Sequence, residues 1–486
     1  MIHFSQIKRY KLITLALITF LVIGSFLQKK TIQQAEFNWR FTHPTIIVNS
    51  ELNNTIEGNY FIISKINPKE KYIEIENLPL ELYSIIDSIN WIVGWGKKQR
   101  YYNRGNEELA EITGFDKKNN RIYLSKTINF PTKNQRAVFW RKKIPHLIPL
   151  KDEPIINRED IIGYPSNSMS FSRIIYDPQF KRYFAFIQPV DQPNTPIFLI
   201  ESKDLRTWGN TLTDKPIFTS VDFSEFNWSN NDSLCNIGSC PRIGDVITNG
   251  EKVYLFMYGF NKANKRQISL AVSETGIKGP YIINSNPILA HGEKGSWNET
   301  GVFYPKFLDC GNNNYRIFFD GINNKGEEAV GVAHSTDMIN WSIEANSPII
   351  SQHEGWRSAK NVSEPAYSEK RGDSIFLLVA GAKAFNDSWA NNYIFKDSYM
   401  SAKGNVDQTQ LGVFLSLDKG KSFIEHTNNP VFINNYLNKY ENAHLGANFS
   451  IIEKEDTVFY FYQAKTSTPQ LRYVVKAYYQ LKQARK

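Results

Sequence analysis

The pattern of apolar and polar positions is most regular around residue 300. Trp297 to Leu308, Asn314 to Gly321, Ala329 to Trp341 and Ser347 to Ile350 are four apolar or alternating runs with Gly, Asn, Asp and Ser between them. Runs of this length, alternation and punctuation predict a four-stranded antiparallel sheet. The same unit recurs from about Ile155 to residue 480. A first copy runs from Ser172 to Phe218 and a second from Cys240 to Leu289. The third is the one just described. A fourth runs from Ser363 to Phe432 and a fifth from His444 to Ala477. A four-stranded sheet repeated five times along a chain predicts a five-bladed β-propeller over residues 155–480. The closing Pro-apolar pairs stand at Pro216, Pro287, Pro348 and Pro430, spacings of 71, 61 and 82 residues. Four bare strands need less, so the excess is expected in loops, chiefly Lys383 to Thr409 of the fourth unit. Long loops on a rigid scaffold commonly carry binding residues.

Upstream the pattern changes. Residues 36–150 lack the repeat and offer five short strands: Tyr60 to Ile63, Tyr72 to Ile75, Trp91 to Trp95, Arg121 to Leu124 and Ala137 to Trp140. With Asn67-Pro68 and Asn119-Asn120 as turns, and Leu80 to Asn90 as a short helix, they predict a small β-barrel or sandwich. Leu12 to Leu27 is an uncharged run of 16 residues between Lys8, Arg9, Lys11 and Lys29, Lys30. It would span about 24 Å as a helix, near a bilayer core. No small-x-small cleavage site follows it, which favours an uncleaved anchor over a signal peptide. The basic N-terminal flank then puts residues 1–30 at and inside the membrane and the bulk of the chain outside, in the periplasm or extracellular space.

Composition narrows the function more than the fold. The chain has 486 residues and a net charge of +9, with 32 Phe, 25 Tyr and 10 Trp. The basic residues form no block with interleaved aromatics, which argues against nucleic-acid binding. Of three cysteines, Cys235 and Cys240 could close a small loop outside the cytoplasm or remain free thiols; a single Cys-x4-Cys pair does not make a zinc site. No run of His, Asp and Glu has metal-ligand spacing, so neither a metal nor another cofactor is expected.

The repeats share a turn, Ser-x-Asp-x-x-x-Trp, at Ser202 to Trp208 and Ser335 to Trp341, with a looser form at Ser416 to Phe423. Its polar residues suit a turn cap and its aromatic suits packing between sheets. Together with the openings Glu299-x-Gly301-Val302-x-x-Pro305 and Glu364-Pro365, this resembles the five-bladed propeller glycosidases of glycoside hydrolase families 43 and 32 and their relatives. The resemblance covers about residues 155–480 and is more specific for architecture than for substrate. It implies a central funnel into which the first strand of each blade presents carboxylates. Glycosidic cleavage needs a protonated acid at the leaving oxygen and a second carboxylate as nucleophile or base, and a third can hold the acid's proton on.

The resemblance places the general acid at Glu364. Glu299, six residues before Pro305, is the partner carboxylate, with Trp297 beside it to stack on a sugar; Asp245 is a third candidate. These families also carry an Asp on the opening strand of the first blade, yet Ser166 to Ser172 holds no carboxylate and the first acid is Asp177. Arg173, Arg242 and Lys306 occupy equivalent first-strand positions and could form a cationic ring for an acidic sugar. That ring, with the sialidase-like turn at Ser416, suggests a sialidase-like enzyme as one alternative. His444 is a possible partner for a sugar hydroxyl. The expected function is a glycosidase acting on an oligosaccharide or polysaccharide at the cell surface. The missing first-blade Asp favours the other alternative, a non-catalytic glycan-binding or polysaccharide-assembly protein.

Overall fold

The computed structural model describes residues 60–76, 91–96, 108–127, 136–141, 147–190, 196–210, 215–230, 241–351, 353, 355–360, 362–382, 410–426, 429–432, 440, 444–466 and 472–481. These residues are all-β apart from short 3-10 turns. The run from Leu12 to Leu27, the stretch Leu80 to Asn90, Cys235, Cys240 and the insertion 383–409 lie outside them. Among the described residues, no helix is long and apolar enough to cross a membrane.

The upstream strands close into a six-stranded antiparallel barrel. Going round it, the order is Tyr60–Asn67, Tyr72–Ile75, Arg121–Leu124, Glu108–Asp116, Trp91–Gly96 and Arg136–Arg141, the last pairing back to the first. Alternate residues turn inward: Ile73 and Ile75, Ala110 and Ile112, Ile122 and Leu124 are all buried. Glu108–Asp116 is a strand that hydrophobicity did not reveal. Its buried positions include a small alanine, and a bulge shifts the register between Ile112 and Gly114.

Five antiparallel units follow, two of which, at 242–283 and 301–343, are joined by one parallel bridge, Arg266 to Gly301. Blade I has a broken inner strand, Met169–Phe171 and Ile175–Asp177, then Arg182–Pro189, Phe198–Ser202 and Gly209–Asn210. Blade II is Arg242–Asn249, Lys252–Phe260, Arg266–Ser273 and Ile282–Ile283. Blade III is Gly301–Asp309, Tyr315–Ile322, Glu328–Ser335 and Ser342–Ile343. Blade IV is Ser363–Arg371, Ser374–Gly381, Gln410–Ser416 and Ile424–Glu425. Blade V is His444–Lys454, Thr457–Thr466 and Arg472–Leu481. Second strands are covered on both faces, so they read as continuous apolar runs; Ser374–Gly381 is buried at every position. The apolar cores lie between neighbouring blades. One joins Phe171, Ile187 and Ile200 of blade I to Phe459, Phe461 and Val475 of blade V, and another joins Phe256 and Leu270 of blade II to Phe307 and Phe319 of blade III.

The Ser-x-Asp turns behave as caps. The Ser202, Ser335 and Ser416 hydroxyls donate to Asp204, Asp337 and Asp418 and accept from the amides of Leu205, Met338 and Gly420. The aromatic that ends each turn packs across to another strand or blade: Trp208 against Phe461, Trp341 against Phe256 and Phe307, Phe423 against Phe318.

The fourth strand of blade V comes from the other end of the repeat region. Ile148–Pro149 pairs with Tyr478 and Tyr479, and Ile156 bridges Val475. The expected boundary between residues 150 and 155 therefore falls inside the segment that closes the ring. Lys476 fastens it: its fully buried ammonium donates to the carbonyls of Lys151, Asp152 and Glu153 at 3.0, 2.5 and 3.2 Å. Lys476→Met leaves those acceptors without their donor and should lower the unfolding free energy by about 2–4 kcal/mol, read by urea denaturation of the full chain.

Candidate functional site

Each inner strand is interrupted by a bulge or a register break, and the interruptions meet at the axis. The shifts lie between Phe171 and Ile175, Ile243 and Asp245, Phe303 and Lys306, Pro365 and Tyr367, and Leu445 and Phe449. A bulge frees backbone groups from the ladder and re-aims side chains. Here the freed groups are satisfied by charge. The Arg173 guanidinium grips Asp245 through Nε to Oδ1 at 3.0 Å and Nη2 to Oδ2 at 2.8 Å, and Nη2 also donates to the Phe307 carbonyl at 3.0 Å. Asp245 accepts from the amides of Val246 and Phe307 at 2.9 and 2.8 Å. Lys306 Nζ donates to the Gly244 carbonyl at 2.8 Å and Asn448 Oδ1 at 3.2 Å, and Asn448 reaches Ser170 at 2.6 Å. Ser368 donates to the Phe307 carbonyl, and the Arg173 guanidinium lies 5.2 Å from the Tyr367 ring centre. All five blades contribute to this knot.

The knot absorbs three residues expected to act on substrate. Asp245 is 1% exposed and bound in a two-pronged ion pair, so it is a scaffold anion rather than a catalytic one. Arg173 and Lys306 are committed to Asp245 and to blade carbonyls. Arg242 stands at the start of its strand and donates to the Val190 carbonyl at 3.3 Å. The expected three-membered cationic ring does not form, and the acidic-sugar and sialidase-like readings lose the residues they rested on.

A second group of acids gathers at the end of the propeller where the inner strands begin. Asp320 lies near the end of the second strand of blade III, Glu328 opens the third, and Glu364 is the second residue of the inner strand of blade IV. One carboxylate oxygen from each lies within 4.8 Å of those of the other two. They are 0%, 2% and 6% exposed. Glu328 Oε2 accepts from the Ser363 amide at 3.1 Å, which ties blade III to blade IV. Three buried carboxylates this close form an oxygen donor set of the kind that can hold a cation. Asp320 and Glu328 stand outside the acids expected to meet in the funnel: positions 320, 328 and 364 are far apart in sequence and meet only because strands from two blades end together. If an ion is held, these three are the described residues that would hold it.

Glu364, the expected general acid, thus lies beside acids other than Glu299 and Asp245. Glu299 is not one of the three; its Oε2 accepts from the Gly295 amide at 2.8 Å and its carbonyl accepts from Lys265 at 3.1 Å, so it caps its own loop. Trp297 is not laid out for a sugar. Its ring stacks on Phe319 at 5.7 Å and fills the space over Gly321 and Gly331, where an added Cβ would come within 2.0 and 2.3 Å of it. His444 opens the inner strand of blade V, and its side chain lies outside the description. Asp320 and Glu328 were missed. The usable signal was an acid at the end of the apolar run Ile317-Phe318-Phe319, where only a partnered or protonated carboxylate is tolerated.

These features define a five-bladed propeller with an ion-paired axis and a buried carboxylate cluster at one end. No family model matches the chain, and no curated protein matches it. Solved structures similar to it include a thermostable family-43 glycoside hydrolase, with 13% identity, a TM-score of 0.46, and coverage of 66% of this chain and 92% of that one. Another is a family-117 glycoside hydrolase from Zobellia galactanivorans, with 12% identity, a TM-score of 0.41, and coverage of 66% and 88%. A third is an N-acetylgalactosamine deacetylase from F. plautii in complex with blood group B trisaccharide, with 12% identity, a TM-score of 0.44, and coverage of 69% and 96%.

Two consequences concern the knot. Arg173→Met leaves Asp245 as a buried charge without its partner and should cost about 3–5 kcal/mol in unfolding free energy. Lys306 is pushed down to about 8 from 10.5, first by burial, with Asp245 and Glu364 opposing that effect and Arg173 adding to it. Between these two values the unfolded chain binds the proton and the folded chain has released it, so the Lys306 contribution to stability rises with pH across that window. Urea denaturation through the same window should show a shallower rise in Lys306→Met than in the wild type.

Proposed function

We propose that the chain is a carbohydrate-active enzyme, a glycosidase on a cell-surface or extracellular glycan, with Glu364 as general acid. The observation that carries this reading is the gathering of Glu364 with Asp320 and Glu328 at the mouth of the inner strands. A proton on Glu364 can pass to a glycosidic oxygen brought to it as that oxygen's bond to the anomeric carbon breaks and water bonds the carbon. Asp320 and Glu328 then stabilise the arrangement as the remaining acids of the cluster. The basic flanks of residues 12–27 support placing the chain at a membrane with its bulk outside, which would put the site on the glycan side.

One observation favours a second reading. Cleavage also needs a carboxylate opposite the acid, and the inner strand of blade I offers Met169, Ser170 and Phe171 there. Asp177, further on, caps the turn at Gln179 and Phe180 with its carboxylate. With Asp245 engaged by Arg173, a glycan-binding protein on a propeller scaffold is the alternative. The two readings separate in one comparison. If the glycosidase reading holds, wild type cleaves a member of an arabinosyl, xylosyl and fructosyl substrate panel and Glu364→Gln loses roughly 10²- to 10⁴-fold in kcat. Retention on a glycan array by a wild type that cleaves nothing would replace it with the binding reading.

A further inference from the structure

The segment joining blade III to blade IV touches the acid cluster at one end and the outer rim of blade IV at the other. Glu328 is held by it at three points. Its amide donates to the Lys360 carbonyl at 2.7 Å, its carbonyl lies 2.8 Å from His353 Nε2, and its carboxylate accepts from the Ser363 amide at 3.1 Å. Three residues before Lys360, the segment is clasped to the rim. Trp356 Nε1 donates to Glu425 Oε1 at 2.6 Å, and Arg357 Nε donates to Glu425 Oε2 at 3.0 Å. Both side chains are buried, and the guanidinium lies 5.1 Å from the Phe414 ring centre.

The blade beneath is shaped to receive this clasp. Added Cβ atoms on Gly381 and Gly412 would fall within 2.7 and 2.3 Å of the Trp356 ring, so only glycine lets the indole lie across those two strands. The Ala359 amide donates to the Ala382 carbonyl at 2.9 Å, which carries the same contact on toward Glu364. Glu425 itself sits on the two-residue outer strand Ile424–Glu425, with its side chain 34% exposed.

We infer that Glu425 is a positioning residue for the acid cluster, acting through Trp356 and Arg357 on the segment that holds Glu328 against Ser363 and Glu364. The inference rests on the glycosidase reading for its catalytic consequence, and on geometry alone for its mechanical one. A carboxylate that receives two donors from consecutive residues fixes both the height and the rotation of the segment. Without it, Lys360 and His353 are free to shift relative to Glu328. Displacement of a catalytic group by about 1 Å costs roughly a hundredfold in rate.

The test uses the full chain and three variants. Glu425→Ala removes the clasp. Glu425→Gln keeps an acceptor for Trp356, and Glu344→Gln removes a comparable rim ion pair, Arg316 to Glu344 at 3.2 Å, at the blade III end of the same segment and away from the Trp356–Arg357 clasp. Amide hydrogen exchange should speed up at Glu328 and Ser363 in Glu425→Ala, recover in part in Glu425→Gln and stay at wild-type rates in Glu344→Gln. On any substrate the wild type cleaves, kcat should fall roughly tenfold or more in Glu425→Ala with KM within about twofold, and Gln should restore part of it. Unchanged exchange at both amides overturns the inference whatever the kinetics. A KM effect with kcat intact, or an equal loss in Glu344→Gln, overturns it as well. If the wild type cleaves nothing, the glycosidase reading fails by itself, and amide exchange still decides the mechanical claim.

Discussion

The ion pair between Arg173 and Asp245 is the interaction on which the rest of the propeller depends. Five inner strands converging on one axis leave bulged backbone that no ladder can satisfy, and buried polar groups without partners are costly. Apolar side chains would fill the space but leave the Phe307 amide unbonded and its carbonyl with Ser368 alone. A guanidinium with several donors and a carboxylate with two oxygens can satisfy them together. The pair is stable because its charges are mutual and its remaining valences are used by the backbone. It therefore ties blades I, II and III in a single contact. Lys306 and Asn448 extend the same solution to blade V, and Ser368 and Tyr367 extend it to blade IV.

This division of labour gives the chain two kinds of buried acid. Asp245 has a full counter-charge and two backbone donors. Asp320, Glu328 and Glu364 lie together instead, one oxygen of each within 4.8 Å of the others. Both kinds lie on or beside strands that open at the axis, and at the level of sequence they look alike. Environment alone separates a structural carboxylate from a chemical one, which is why pairs of titratable groups with opposed surroundings are informative about roles.

Much of the architecture was legible because it is local. Strands of alternating or apolar residues, Ser-x-Asp caps and Pro-apolar closures recur at visible intervals, and each follows from the side chains within a few residues. The barrel strands with Val, Ile and aromatic residues were visible for the same reason. What was not legible depends on contacts between distant segments. The closing strand Ile148–Pro149 is only two residues long and pairs with the far end of the chain, so no periodicity marks it. Glu108–Asp116 has charged and small residues in a strand, and its membership is decided by its two neighbours. Glu364 was singled out through its place before Pro365. Asp320 and Glu328 become its companions only once blade III and blade IV are set side by side. Trp297 and Glu299 misled because an aromatic and an acid near a strand opening look the same whether they face a ligand or cover their own loop.

Support for Glu364 comes from two directions, and the two differ in kind. From the axis, Lys306 feels the charge of Glu364 together with those of Asp245 and Arg173, so the floor of the site is coupled to the knot through electrostatics. From the rim, the Ser363 amide bonds Glu328, and the inter-blade segment bonds Glu328 in turn, so the wall of the site is set by hydrogen bonds and packing. Electrostatic coupling acts through space and tolerates small displacements. Hydrogen-bonded positioning is short-ranged and does not. The spacing of the acids is therefore governed more tightly by the rim than by the floor. The glycines beneath Trp356 belong with that geometry: at Gly381 and Gly412 any larger residue would lift the segment away from the acids it holds.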